Sequence, residues 1–111
     1  LYDLPHGLLC AVLLPYVMEF NLEVAKDKYA QLAPAFDIPA DDHSAEELAS
    51  AAHRAVCELS DRVGIPPCLR ELGVEEDDLA WVAENALRGS TLKNPRTPTK
   101  EDLLLLLEEA F

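Results

Sequence analysis

Apolar residues crowd the first part of the chain. From Leu8 to Phe20 the only charge is Glu19, and apolar side chains fall on nearly every side of a helical wheel. A helix that is apolar all round is buried all round. Pro5-His6-Gly7 opens this segment. Pro15 lacks an N–H, so the pattern predicts a kink or a restart there, with Asn21 ending the first helix or capping the next. A second helix is expected over about Leu22 to Phe36, with a ragged stripe of Val24, Tyr29, Leu32 and Ala33 disturbed by Pro34.

Asp37 to His43 reads as a polar loop. The segment after it carries the clearest helical signal. Ser44 and Glu47 have the spacing of a capping box, and Leu48, Ala52, Ala55, Val56, Leu59 and Val63 recur at helical period up to Gly64. Ile65-Pro66-Pro67 is a stiff connector, followed by a short turn from Leu69 to Leu72 that stops at Gly73. The acids Glu75 to Asp78 sit where a helix start favours negative charge, ahead of an apolar face of Leu79, Val82, Ala83, Ala86 and Leu87. Gly89 to Pro98 is irregular. Thr99 caps the last helix, with Asp102 in the place Glu usually takes. Five leucines run from Leu103 to Leu107; one face hides Leu103, Leu104, Leu107 and Phe111, leaving Leu105 and Leu106 exposed or covered from elsewhere.

No stretch alternates with period two and no long repeat is visible, so a sheet or a solenoid is unsupported. The expected fold is all-α, a single multi-helix orthogonal bundle over residues 1–111 with about five or six helices of uneven length. With 111 residues the chain can bury about 65% of its unfolded surface, enough for one modest core.

The 21 acidic and 9 basic residues give a net charge of −12. That excess argues against a general nucleic-acid binder and against a polybasic membrane binder. The run Leu8 to Leu14 is far shorter than the ~20 residues that span a bilayer, so no membrane is expected. Cys10, Cys57 and Cys68 are odd in number and include no C-x-x-C; each reads as a small buried residue in a reducing, cytoplasmic compartment. The chain starts at Leu1 without an initiator Met, which reads as a fragment.

Candidate chemistry is sparse. There is no phosphate-binding loop, no nucleophile elbow and no H-E-x-x-H. His53 lies off the apolar stripe and reads as a solvated surface residue. His43 reads as part of a solvated acidic loop, beside Asp41 and Asp42. Glu75 to Asp78 lack the spacing of a calcium loop. Arg96 reads as a structural hydrogen-bonding group inside its loop. His6 stands apart, at the mouth of the apolar helix and next to Gly7. A neutral imidazole there is either a metal ligand or a helix-opening residue bonded to a nearby carbonyl. One His cannot hold a metal alone.

Pro5-His6-Gly7, Ala11, Leu14-Pro15, Val17 and Phe20-Asn21 resemble the iron-containing (group III) alcohol dehydrogenases, which read close to P-H-G-x-x-x-A-x-x-L-P-x-V-x-x-F-N. Lys28-Tyr29-Ala30, Gly64-Ile65-Pro66, Leu69-Arg70-Glu71-Leu72-Gly73-Val74, Asp78-Leu79, Asn94-Pro95-Arg96 and Thr99-Lys100-Glu101-Asp102 extend the resemblance along the whole chain. It implies the C-terminal part of the helical metal-binding domain of the dehydroquinate synthase-like/iron alcohol dehydrogenase fold. The upstream NAD(P)-binding α/β domain and the first part of the helical domain would precede Leu1.

The resemblance further implies Fe2+ (or Zn2+) held by one Asp and three His, of which His6 matches the last, with no catalytic or nucleotide-binding residue in this stretch. It implies interconversion of small alcohols with aldehydes or ketones, within a homo-oligomer, and no activity for this piece alone. The alternatives are a free-standing helical protein-interaction module, and a zinc-using or metal-independent relative such as a glycerol dehydrogenase or a dehydroquinate synthase.

Overall fold

The computed structural model describes residues 4–39, 43–87, 91 and 93–111. Among these residues the chain is all-α, with four α-helices joined by short 3-10 turns and no strand. The expected polar loop at 40–42 and the start of the Gly89–Pro98 loop lie outside the described residues.

Helix α1 spans His6–Ala30, 25 residues without a break. Pro15 was expected to kink or restart it, and Asn21 to end it. Both fall inside one helix instead. A mid-helix proline costs about 3 kcal/mol, and neighbours on two sides offset that here: α1 packs on both of the other long helices. The part expected as the rest of a second helix becomes a separate 3-10 turn, Ala33–Phe36. As one piece, α1 is long and apolar enough to cross a bilayer by length and composition, which its longest apolar run is not. Against the expectation that it is buried all round, it buries Val12, Met18, Asn21 and Ala25 while Leu14 and Val24 are 46% and 56% exposed, because α2 and α4 cover only part of its surface.

Helix α2, Ala45–Arg62, starts as expected: Ser44 Oγ accepts from the Glu47 backbone N–H at 3.1 Å. The Glu47 carboxylate is drawn instead to Nδ1 of exposed His43, 2.9 Å away. α2 runs antiparallel to α1, since His53 meets Pro15 while Cys57 and Ser60 line one cavity with Ala11 and Val12. The face toward α1 carries His53, Cys57 and Ser60, and Ala49 and Ala52 are fully buried. That face is turned by about one position from the expected stripe, with the His53–Pro15 hydrogen bond and the cavity-lining Cys57 and Ser60 directed at α1. Leu59 and Val63, expected in the core, are therefore 48% and 65% exposed.

Gly64 ends α2 at φ 81°, and Gly73 ends the 3-10 turn Leu69–Leu72 at φ 85°, both left-handed as their placement predicts. The acids Glu76–Asp78 form a 3-10 turn leading into α3, Leu79–Asn85. Helix α4, Lys100–Ala110, carries a full capping box. Asp102 N–H donates to Thr99 Oγ1 at 3.1 Å, and Thr99 N–H donates to Asp102 Oδ2 at 3.0 Å.

One core cluster joins Val12 of α1, Leu69 and Val74 of the connector, Leu79 and Ala83 of α3, and Leu107 and Ala110 of α4. Leu106, expected outside the buried face, is only 9% exposed. The reason is that α4 packs against α1 as well as α3, so its buried arc is wider than one face. Leu105 remains 58% exposed.

Replacing Thr99 by Ala is expected to destabilise the chain by about 1 kcal/mol in urea melts, the usual worth of an N-cap. The Asp102 carboxyl is held below its ordinary range, first by the Thr99 backbone N–H, then by the Thr99 hydroxyl and Arg96, against a smaller opposing desolvation. A depressed folded value means that this stabilisation is complete above the unfolded value and fades as pH falls through the folded one. The gap in melting temperature between the wild type and Asp102→Asn should therefore shrink between about pH 7 and about pH 3. A constant gap would contradict this.

Candidate functional site

His6 is the first residue of α1, set by the extended Pro5 (φ −57°, ψ 128°), whose carbonyl accepts from Leu9 N–H at 3.2 Å. Its ring is exposed, and its partner is not a carbonyl: Nε2 lies 3.4 Å from Sγ of Cys10, one turn along the helix. Cys10 is itself exposed and Cys57 and Cys68 are only partly buried, against the expectation that all three thiols are buried. A Cβ added at Gly7 would meet nothing within 4 Å, so the space beside this helix mouth is open among the described residues. No group of three or more His, Cys, Asp and Glu that could hold a metal occurs among those residues. What α1 presents at this end is one imidazole nitrogen and one sulfur.

His53 corrects its expected place on the solvated surface. It is half-buried, and its Nε2 lies 2.8 Å from the Pro15 carbonyl, tying α2 to the middle of α1. The cause is the rotation of α2 described above, which turns the polar position inward. Cys57 sits one turn further, its Sγ 3.9 Å from His53 Nε2. Both line a cavity of about 270 Å³ with Ala11, Pro15, Tyr16 and Pro67. Burial, followed by the charge of Glu19, pushes the Cys57 thiol up. A raised thiol is a poor nucleophile. The Tyr16 phenol is also raised, chiefly by burial, and donates to the Pro67 carbonyl at 2.9 Å.

Two sequence motifs 73 residues apart meet at the other end of the apolar part of α1. Asn21 Nδ2 donates to Asn94 Oδ1 at 3.0 Å, and Asn94 Nδ2 donates back to Asn21 Oδ1. Asn94 also donates to the Arg96 carbonyl at 2.7 Å. The Arg96 guanidinium lies 4.2 Å over the Phe20 ring, donates to the Phe20 carbonyl at 3.4 Å, and stands 3.8 Å from Asp102. Arg96 is thus structural, as its loop position implied, and Phe20-Asn21 and Asn94-Pro95-Arg96 form one latch.

The whole chain, residues 1–111, matches the description of the Fe-containing alcohol dehydrogenase family, C-terminal. The chain belongs to the iron-containing alcohol dehydrogenase family. It is 39% identical over 112 residues to the 1,3-propanediol dehydrogenase of Citrobacter freundii, covering 100% of this chain and 29% of that protein. It is 40% identical over 111 residues to the lactaldehyde reductase of Escherichia coli, covering 99% of this chain and 29% of that one. The crystal structure of a 1,3-propanediol oxidoreductase superposes with a TM-score of 0.95 at 38% identity, over 100% of this chain and 29% of that one. The chain thus spans under a third of the length of these family members, in their C-terminal region.

Because Asn21 is 4% exposed, replacing Asn94 by Ala strands its amide. The expected loss is about 1–3 kcal/mol in chemical denaturation, against less than about 0.5 kcal/mol for Lys93→Ala on the exposed side of the same loop. Equal effects would show that the latch carries no stability.

Proposed function

We propose that this chain is the C-terminal part of a metal-dependent, NAD(P)-linked alcohol dehydrogenase that interconverts small alcohols with aldehydes or ketones by hydride transfer. The observation that carries the reading is the family match over every residue, together with relatives named for propanediol and lactaldehyde. In this reading residues 1–111 complete a helical domain begun by preceding residues, and the α/β nucleotide-binding domain also precedes them. The exposed Val63, Trp81 and Leu105 then pack against the rest of the protein. We infer a cytoplasmic, homo-oligomeric enzyme in which α1 is a buried core helix.

His6 is the residue of this chain proposed to hold the metal. The donor chemistry fits: an exposed imidazole nitrogen at a helix mouth, on an element braced from both sides, can give one ligand while others come from outside the chain. A divalent iron or zinc, when bound, supplies Lewis acidity toward the alcohol oxygen. The chain's own contribution is placement. Helix α1 fixes the His6 backbone, and the His53–Pro15 bond and the Asn21–Asn94 latch hold α1 against sliding or rotation. That rigidity matters because a ligand must sit within a few tenths of an ångström of its ideal place.

In the whole protein, His6→Ala is expected to lower bound metal at least about tenfold by elemental analysis. Turnover of 1,3-propanediol with NAD should fall in step, while the 111-residue chain alone shows none. Unchanged metal occupancy would remove His6 from the site.

A further inference from the structure

We propose that the cavity between α1, α2 and the 65–67 connector binds a compact organic cation, an ammonium group carried on a small apolar body. The proposal is independent of the metal and of the reading of His6.

The walls explain why the space persists. Ala11, Val12 and Pro15 of α1 line it together with Ile65, Pro66 and Pro67 of the connector. Consecutive prolines fix two φ angles, so the connector is too stiff to sag inward. The Tyr16 hydroxyl pins it by donating to the Pro67 carbonyl at 2.9 Å, and Ile65 N–H donates to the Ser60 carbonyl at 2.9 Å. On the α2 side, Cys57 lines the cavity with a side chain too small to fill it. The volume is about 270 Å³, and an apolar cavity of about 150 Å³ already holds benzene. A six-membered ring with a short polar head therefore fits, and the apolar lining favours burial of the ring.

The charges select the head. Glu19 of α1 and Asp61 of α2 both line the cavity and both are exposed, which puts them at its mouth. No lysine or arginine lines it, and neither acid has an ion-pair partner among the described residues. Two carboxylates on different helices thus adjoin one apolar space with nothing to neutralise them. The hydroxyl of Tyr16 and the Nε2–H of His53 are already given to the Pro67 and Pro15 carbonyls, so the cavity offers a ligand chiefly acceptors. The Tyr16 phenol and the Cys57 thiol are both raised by burial first, and the charge of Glu19 adds to both. An uncompensated negative potential acts in that direction, and a bound cation supplies the missing charge. The groove beside Ala55 and Leu59 of α2 differs: Arg54 and Arg62 stand in it with Glu58, and such a mixture selects no sign.

The test sets three ring compounds of similar size against the whole protein: benzylammonium, toluene and benzoate. Cys57 is the reporter, because an occupant of the cavity covers its sulfur. Iodoacetamide alkylation is followed by mass spectrometry at the peptide holding Cys57, separately from those holding Cys10 and Cys68. Benzylammonium at millimolar concentration is expected to slow alkylation of Cys57 saturably, by at least about fivefold, and to leave Cys10 unaffected. Toluene should bind about tenfold more weakly and benzoate should give no protection, the worth of two partly exposed charge pairs. The double substitution Glu19→Gln/Asp61→Asn, at exposed positions, should bring benzylammonium down to the affinity of toluene.

No protection by benzylammonium, equal protection by toluene or benzoate, or equal slowing at Cys10 would overturn the proposal. So would a preference for the cation that survives Glu19→Gln/Asp61→Asn. The comparison of the three compounds on the wild type stands whether or not the variant folds.

Discussion

Burying a polar side chain without a partner costs about 1–3 kcal/mol, a large share of a domain's net stability. Asn21 imposes that constraint here. It is the buried polar residue among the described ones, and it lies in the middle of an apolar helix. Its amide is satisfied by Asn94, 73 residues away. Much of the remaining architecture follows from meeting that demand. The loop carrying Asn94 must cross over α1, which brings Arg96 onto the Phe20 ring. Arg96 then stands beside Asp102, whose backbone contacts with Thr99 start α4. A buried hydrogen bond, a ring contact and a helix cap are consecutive parts of one connection between α1 and α4.

The opposite end of α1 is built differently. Around Val12 the helix is packed, but at His6 the backbone stands free, with open space beside Gly7. A helix anchored along most of its length and bare at its mouth suits a group that must be placed firmly yet stay reachable. On α2, Ala49 and Ala52 have no exposed surface, and His53 bonds the Pro15 carbonyl in the middle of α1.

Much of this was legible in the residues. The start of α2 at Ser44, the stops at Gly64 and Gly73, and the Thr99–Asp102 cap depend on contacts three or four residues long, so the local pattern is enough. The structural role of Arg96 was readable from its loop. Other features were not legible, for reasons that can be named. Pro15 opposes a helix locally, and only packing on two sides outweighs it. Leu106 is buried because α4 has two neighbours, which a single-face argument does not count. The inward turn of His53 and the exposure of Leu59 and Val63 come from a helix rotation of about one position, which a stripe of apolar residues alone does not fix because a polar His53 bonded to the Pro15 carbonyl sits on the packed face. Cys10 was misplaced because a cysteine's usual burial says nothing about a particular helix mouth.

The sequence by itself determined the helical class, the caps and turns, and, through the spacing around Pro5-His6-Gly7 and Asn94-Pro95-Arg96, the iron-containing alcohol dehydrogenase family. Those properties live in short-range spacing, which is written along the chain. Only the tertiary structure decided that α1 is one helix, which face of α2 meets it, and that the two distant motifs close on each other. It also decided that His6 faces a sulfur rather than a carbonyl. Each of those outcomes is a competition between a local preference and contacts made by residues dozens of positions away, and only the packed state shows which one prevails.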